Sequence, residues 1–95
     1  MKNKILIVDD AEINRSLLAD ILSVEYDIME ASNGVEAVSL LNQYHADLSL
    51  ILLDIVMPEM DGFEVLAIMN RNGWIQSIPV ITISAETSSS YIEHA

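Results

Sequence analysis

Cysteine is absent from the chain. That removes disulfides, thiolate metal sites and a catalytic thiol together, and it makes a reducing cytoplasm the expected compartment. Basic residues are nearly as scarce: 4 Lys and Arg stand against 15 Asp and Glu, a formal net charge of −11. Binding a phosphate backbone or an anionic membrane needs cations that displace counterions, so neither nucleic acid nor a membrane is an expected partner. Long hydrophobic runs are also missing. The apolar stretch behind Met1-Lys2-Asn3-Lys4 ends at Val8 before two aspartates, too short for a signal-peptide core or a membrane span. Glycine and proline number 3 and 2. Apart from Ser88-Ser89-Ser90, read as a helix start or a loop, the chain holds no repeat, linker or low-complexity tract.

What is present suits a folded domain. Hydrophobic residues make up 52% of the chain and mean hydropathy is +0.36, outside the regime in which chains fail to collapse. The 95 residues suffice for one domain and not for two.

Ile5-Leu6-Ile7-Val8 is a continuous, mostly β-branched run, the mark of a strand buried on both faces. Over residues 12–24 the period changes. Ile13, Leu17 and Ile21 recur at helical spacing with Leu18 and Leu22 beside them, while Glu12, Arg15, Ser16 and Asp20 fall outside, which predicts a helix burying that stripe. Tyr26 to Ala31 reads as a second strand. Ser32-Asn33-Gly34 turns into a helix over about 34–44 whose Val35, Val38 and Leu41 share a face. Leu48 to Leu53 reads as a central parallel strand ended by Asp54. A loop through Pro58 and Gly62 leads to a helix at about 63–71, with Val65, Leu66 and Met69 on it, stopped by Asn72-Gly73. Pro79 to Ser84 reads as a fourth strand, and another helix begins near Thr87, with Tyr91 and Ile92 as its first apolar contacts.

The order βαβαβαβα with short connections predicts an α/β fold, an open doubly wound parallel sheet with helices on both faces. Such sheets work at the carboxyl ends of their strands. Here those ends carry Asp9-Asp10, Asp54 and Ser84. Any one aspartate alone reads equally well as a helix cap or a loop residue. Three carboxylates gathered from two adjacent strands would repel one another unless a cation sat among them, and Mg2+, with its preference for carboxylate and carbonyl oxygens, answers that need. With a metal in place an ionised carboxylate can attack phosphorus, and Asp54, ending the most buried strand, is the candidate nucleophile. The Ser84 hydroxyl lies on the same edge and could hydrogen-bond a phosphoryl group.

Ile5-Leu6-Ile7-Val8-Asp9-Asp10, the stretch from Leu52-Leu53-Asp54 through Met57-Pro58 to Asp61-Gly62, and Pro79-Val80-Ile81-Thr82-Ile83-Ser84-Ala85 resemble, in order and spacing, the three signature segments of the receiver domain of two-component response regulators. The Asp-x-x-Met-Pro-x-x-Asp-Gly stretch is the most specific of them. The resemblance implies a flavodoxin-like sheet of order 2-1-3-4 and a phosphoacceptor at Asp54 that is charged from a phosphohistidine on a sensor histidine kinase or phosphotransfer protein. It implies Mg2+ held by Asp10 and Asp54, by Asp9 largely through water and by the backbone carbonyl of Val56, with Ser84 as the switch hydroxyl. Pro58 would stiffen the acceptor loop and Gly62 would permit the turn into the third helix. Partner choice would lie on the first helix, with Ile13, Asn14, Leu17 and Leu18 as candidates.

Receiver domains continue into a fifth strand bearing a lysine and a fifth helix, and the 95 residues contain neither. The expected unit is therefore a receiver domain over 1–95 that stops within or after its fourth helix. Its uncovered sheet face would be hidden in a homodimer or by segment exchange. Any catalysis would be limited to phosphorylation and dephosphorylation of its own Asp54. Two rival readings are a phosphorylation-silent interaction module and a Mg2+-dependent phosphohydrolase, which usually has a second aspartate where Val56 stands. A flavodoxin needs a hydroxyl- and glycine-rich loop in place of Asp9-Asp10-Ala11-Glu12. His45 and His94 lack a companion at ligand spacing and read as surface residues, Trp74 as a loop-packing residue, and Met57 and Met60 as loop or partner contacts.

Overall fold

The computed structural model describes residues 3–55 and 60–83. Four strands, β1 (Lys4–Val8), β2 (Asp27–Ala31), β3 (Leu48–Asp54) and β4 (Val80–Ile83), alternate with three helices, α1 (Glu12–Leu22), α2 (Gly34–Tyr44) and α3 (Gly62–Arg71). All strand pairs are parallel and the order is β2-β1-β3-β4, the doubly wound arrangement expected. Ser84, Val56, Pro58, Met57, His94 and the helix expected from Thr87 lie outside the described residues.

The pleat of each strand sorts its side chains into two cores. Leu6 and Val8 of β1 and Ile51 and Leu53 of β3 face α2 and α3, where they join Ala37, Leu41, Val65, Met69 and Ile78. Ile5, Ile7 and Leu52 face the other way, toward Leu18, Ala19 and Leu22 of α1. Continuous apolar runs in β1 and β3 are thus explained by burial on both faces. The sheet face under α1 is the less covered one. A groove lined by Ile5, Leu22, Tyr26, Leu50, Leu52 and Ile81 runs along it, and Ile81 on edge strand β4 is 52% exposed.

Local signals account for the helix starts. The Asn33 side chain accepts a hydrogen bond from the Glu36 amide (2.8 Å), and Glu36 Oε1 accepts in return from the Ser32 amide (3.0 Å), a reciprocal cap on α2. Asp61 caps α3 by accepting from the Glu64 amide at 3.0 Å. After α3, Gly73 adopts φ +76°, the left-handed conformation that ends a helix at low cost with glycine. Trp74 starts a short 3-10 turn, packs against the larger core and stacks on His45, with ring centroids 5.2 Å apart.

Two expected helix faces are corrected. On α1 the Ile13, Leu17 and Ile21 stripe is 77%, 56% and 67% exposed, and the residues that pack on the sheet are Leu18, Ala19 and Leu22. The apolar arc of this helix is wider than the sheet beneath it can receive; Leu18 and Leu22 turn inward on the same face as Arg15, which reaches Asp9 and Glu30. The helix also ends at Leu22, not at 24. On α2, Val35 is exposed while Gly34, Ala37 and Leu41 are buried. Gly34 lets the start of this helix lie against Met60, and Ala37 packs in the larger core.

Candidate functional site

The carboxyl edge of the sheet gathers the three aspartates. Asp9 is the first residue beyond β1, and its amide continues the strand ladder by donating to the Ala31 carbonyl at 3.1 Å. Asp54 is the last residue of β3. Because β1 and β3 are adjacent and parallel, with Val8 opposite Leu53, both chains deliver their next residue to the same place. Asp9 and Asp54 are each only 2% exposed, whereas Asp10 faces solvent.

One carboxylate oxygen from each of Asp9, Asp10 and Asp54 lies within 4.8 Å of the others. Asp9 is oriented by its own turn, Oδ1 accepting from the Ala11 amide at 2.8 Å. The pocket is therefore a concentrated patch of hard oxygen donors, two of them walled off from water and one open. At about 1 kcal/mol per pair of unit charges near 4 Å even in water, and more where the dielectric falls, this patch is under repulsive load. Asp10→Asn removes one of the charges without opening a buried cavity. It is expected to raise the stability of the protein in the presence of a chelator by about 1 kcal/mol, a Tm increase of about 4–8 °C by scanning calorimetry.

The backbone beyond Asp54 is held by close approach of α3. The Gly62 amide donates to the Ile55 carbonyl at 2.9 Å, drawing the start of α3 against the end of β3. A Cβ at Gly62 would lie 2.6 Å from the Asp54 carbonyl oxygen and 2.7 Å from Ile55 Cα. The glycine is needed there for space; its φ lies outside the left-handed region, which among the glycines only Gly73 adopts, so the expected role in permitting a turn is corrected to one of close approach. Gly34 is a second such point, where a Cβ would meet the backbone and Cβ of Met60.

Sequence reasoning did not find Arg15 and Glu30. Arg15 Nη1 donates to the Asp9 carbonyl at 2.7 Å and Nε to Glu30 Oε1 at 3.0 Å. The available signal was the position of a cation in the first turns of α1, where the helix dipole disfavours it. The sequence-predicted site residues Asp9, Asp10 and Asp54 come together; Val56 and Ser84 lie outside the described residues.

Comparison with known proteins agrees with this geometry. The family model of the response regulator receiver domain matches residues 5–95. The chemotaxis protein CheY of Halobacterium salinarum is 49% identical over 65 residues, which are 67% of this chain and 52% of that protein, so the chain spans about half the length of that relative. The polar-differentiation response regulator DivK of Brucella ovis is 35% identical over 86 residues, covering 90% of this chain and 68% of DivK. Among solved structures, the CheX-CheY-BeF3-Mg2+ complex of Borrelia burgdorferi superposes with a TM-score of 0.79 at 31% identity, over 95% of this chain and 67% of the matched chain. With the sheet order, the acidic edge and the family match in agreement, the chain belongs to the response regulator receiver domain family.

Proposed function

We propose that this chain is a phosphoacceptor of two-component signalling, in which Asp54 takes a phosphoryl group from a phosphohistidine on a sensor kinase or phosphotransfer protein. The observation that carries the reading is the convergence of Asp9, Asp10 and Asp54 within 4.8 Å at the carboxyl edge of two central strands. The donor set suits Mg2+: carboxylate oxygens with no nitrogen or sulfur, and an open side at Asp10 for water and phosphate oxygen. Asp9, Asp10 and Asp54 would hold the ion, joined by the backbone carbonyl of Val56, with Asp9 acting largely through water. When bound, the ion neutralises the charge of the attacking carboxylate and of the phosphoryl oxygens.

In the proposed transfer a carboxylate oxygen of Asp54 forms a bond to phosphorus as the phosphorus–nitrogen bond of the donor imidazole breaks. The electron pair stays on that nitrogen, which then takes a proton, and Asp54 becomes an acyl phosphate. Burial of the Asp54 side chain at the end of β3 limits the directions from which a donor can enter. Ser84 is the proposed switch hydroxyl that afterwards donates to a phosphoryl oxygen.

The exposed stripe of Ile13, Leu17 and Ile21 on α1 begins three residues after Asp10. It supplies the apolar face that a helical partner would meet beside the pocket, with Asn14 next to it. Leu18 leaves the candidate set because it packs inward. The homodimer or segment exchange expected from the sequence gains no support from the structure. Among the described residues no helix is long and apolar enough to cross a membrane, and the cytoplasm is the proposed compartment.

Incubation with acetyl phosphate and MgCl2, read by intact mass, tests the proposal. The expected result is a gain of one phosphoryl group that a chelator prevents. No gain under either condition would identify a phosphorylation-silent interaction module, and turnover of added phosphate esters would identify a phosphohydrolase.

A further inference from the structure

We propose that Arg15 is a positioning residue for the acidic pocket, aiming Asp10 by holding the peptide that joins it to Asp9, with Glu30 as its anchor on β2. This inference rests on the phosphoacceptor reading above.

Arg15 occupies the fourth position of α1, close to the positive end of the helix dipole, where a cation is disfavoured. The chain has 4 basic residues, and among the described ones Arg15 alone reaches the carboxyl edge: Lys4 lies over the Tyr44 ring and Arg71 ends α3. A residue that breaks a local rule at a candidate site calls for a reason, and its hydrogen bonds supply one. Nη1 donates to the Asp9 carbonyl at 2.7 Å while Nε donates to Glu30 Oε1 at 3.0 Å, and the Arg15 side chain is 16% exposed.

Three bonds define the short segment from Asp9 to Ala11. The Asp9 amide is tied to Ala31, the Ala11 amide to the Asp9 carboxylate, and the Asp9 carbonyl to Arg15. The first continues the strand ladder and the second is internal to the turn. Arg15 is thus the one described side chain outside the turn that fixes its backbone. No described group holds the Asp10 carboxylate itself by a hydrogen bond, so what the fold fixes of Asp10 is the direction in which its Cα–Cβ bond leaves this peptide plane. The guanidinium can do this because its fork bonds a carbonyl and a carboxylate at once, a geometry that lysine, a point charge on a flexible stem, does not reproduce.

Charge and geometry make opposite predictions, which separates the two roles. If Arg15 acted only as a nearby positive charge, removing that charge would strengthen the attraction of the pocket for a divalent cation. If it acts by position, losing the fork weakens binding even when the charge is kept, by about 10-fold, the lower end of what loss of an outer partner costs a metal site. The test is calorimetric titration of the full chain with MgCl2, together with amide hydrogen exchange at Ala11 in metal-free protein. The expected result is a Kd raised about 10-fold by Arg15→Lys, a rise also in Arg15→Gln, a smaller rise in Glu30→Gln, and faster Ala11 exchange in all three. An unchanged Kd in Arg15→Lys, or tighter binding in Arg15→Gln, overturns the proposal. Absence of Mg2+ binding by the wild type overturns instead the reading of the pocket on which it rests; slower Ala11 exchange in the wild type than in the variants would still report the Arg15 contact.

Discussion

Gly62→Ala is expected to destabilise the protein by about 1–3 kcal/mol and to slow phosphoryl uptake at Asp54. The added methyl would stand 2.6 Å from the Asp54 carbonyl oxygen and 2.7 Å from Ile55 Cα. Both are backbone atoms, so no side chain can swing aside. Either α3 retreats and the hydrogen bond from the Gly62 amide to the Ile55 carbonyl lengthens from its 2.9 Å, or the end of β3 moves and takes Asp54, the proposed acceptor, with it. At about 4–8 °C per kcal/mol for a domain of this size, the loss is readable in a thermal melt followed by circular dichroism. Gly73→Asn serves as the control, because nothing lies within 4 Å of a Cβ there and asparagine tolerates the left-handed conformation. Equal melting temperatures for Gly62→Ala and the wild type would contradict the close-approach role.

Leu53→Ala is expected to cost about 2–5 kcal/mol, the largest single loss of stability considered. Leu53 is fully buried in the core between the sheet and α2 and α3, beside the residue that carries the proposed chemistry. Truncation there leaves a cavity that Leu6, Ile51 and Val65 of the same core can fill only in part. Against a total stability of about 5–15 kcal/mol, a loss of that size would leave the domain marginal. Urea denaturation should show a lower midpoint with an unchanged slope. Ile81→Ala, on the exposed edge of β4, should change stability by about 0.5 kcal/mol or less. Similar losses for the two variants would mean that the sheet face under α1 is covered as completely as its opposite face.

The strands were legible because residues 5–8 of β1 and 50–53 of β3 are continuous apolar runs, the mark of burial on both faces, and the parallel sheet followed from their alternation with helices. The acidic pocket was legible for the same reason: once the strands are placed, their carboxyl ends name Asp9, Asp10 and Asp54. Helix α1 was harder. Ile13, Leu17, Leu18, Ile21 and Leu22 spread over too wide an arc for periodicity to say which part meets the sheet; in the fold the inward face carries Leu18 and Leu22 together with Arg15, which reaches Asp9 and Glu30. Pairings such as Arg15 with Glu30, on elements that meet only in the folded sheet, leave no local pattern. The role of Gly62 was half legible. Its place in the signature was plain, but the need for empty space beside the Asp54 carbonyl appears only once β3 and α3 are seen to touch.

The central claim is that Asp54 itself carries the phosphoryl group. An acyl phosphate is open to hydride attack, so borohydride treatment after incubation with acetyl phosphate and MgCl2 converts a phosphorylated aspartate to homoserine, whose position tandem mass spectrometry can read. The account predicts homoserine at position 54, with Asp9 and Asp10 unmodified and no conversion in Asp54→Asn. Homoserine at another aspartate, or conversion that survives in Asp54→Asn, would contradict it.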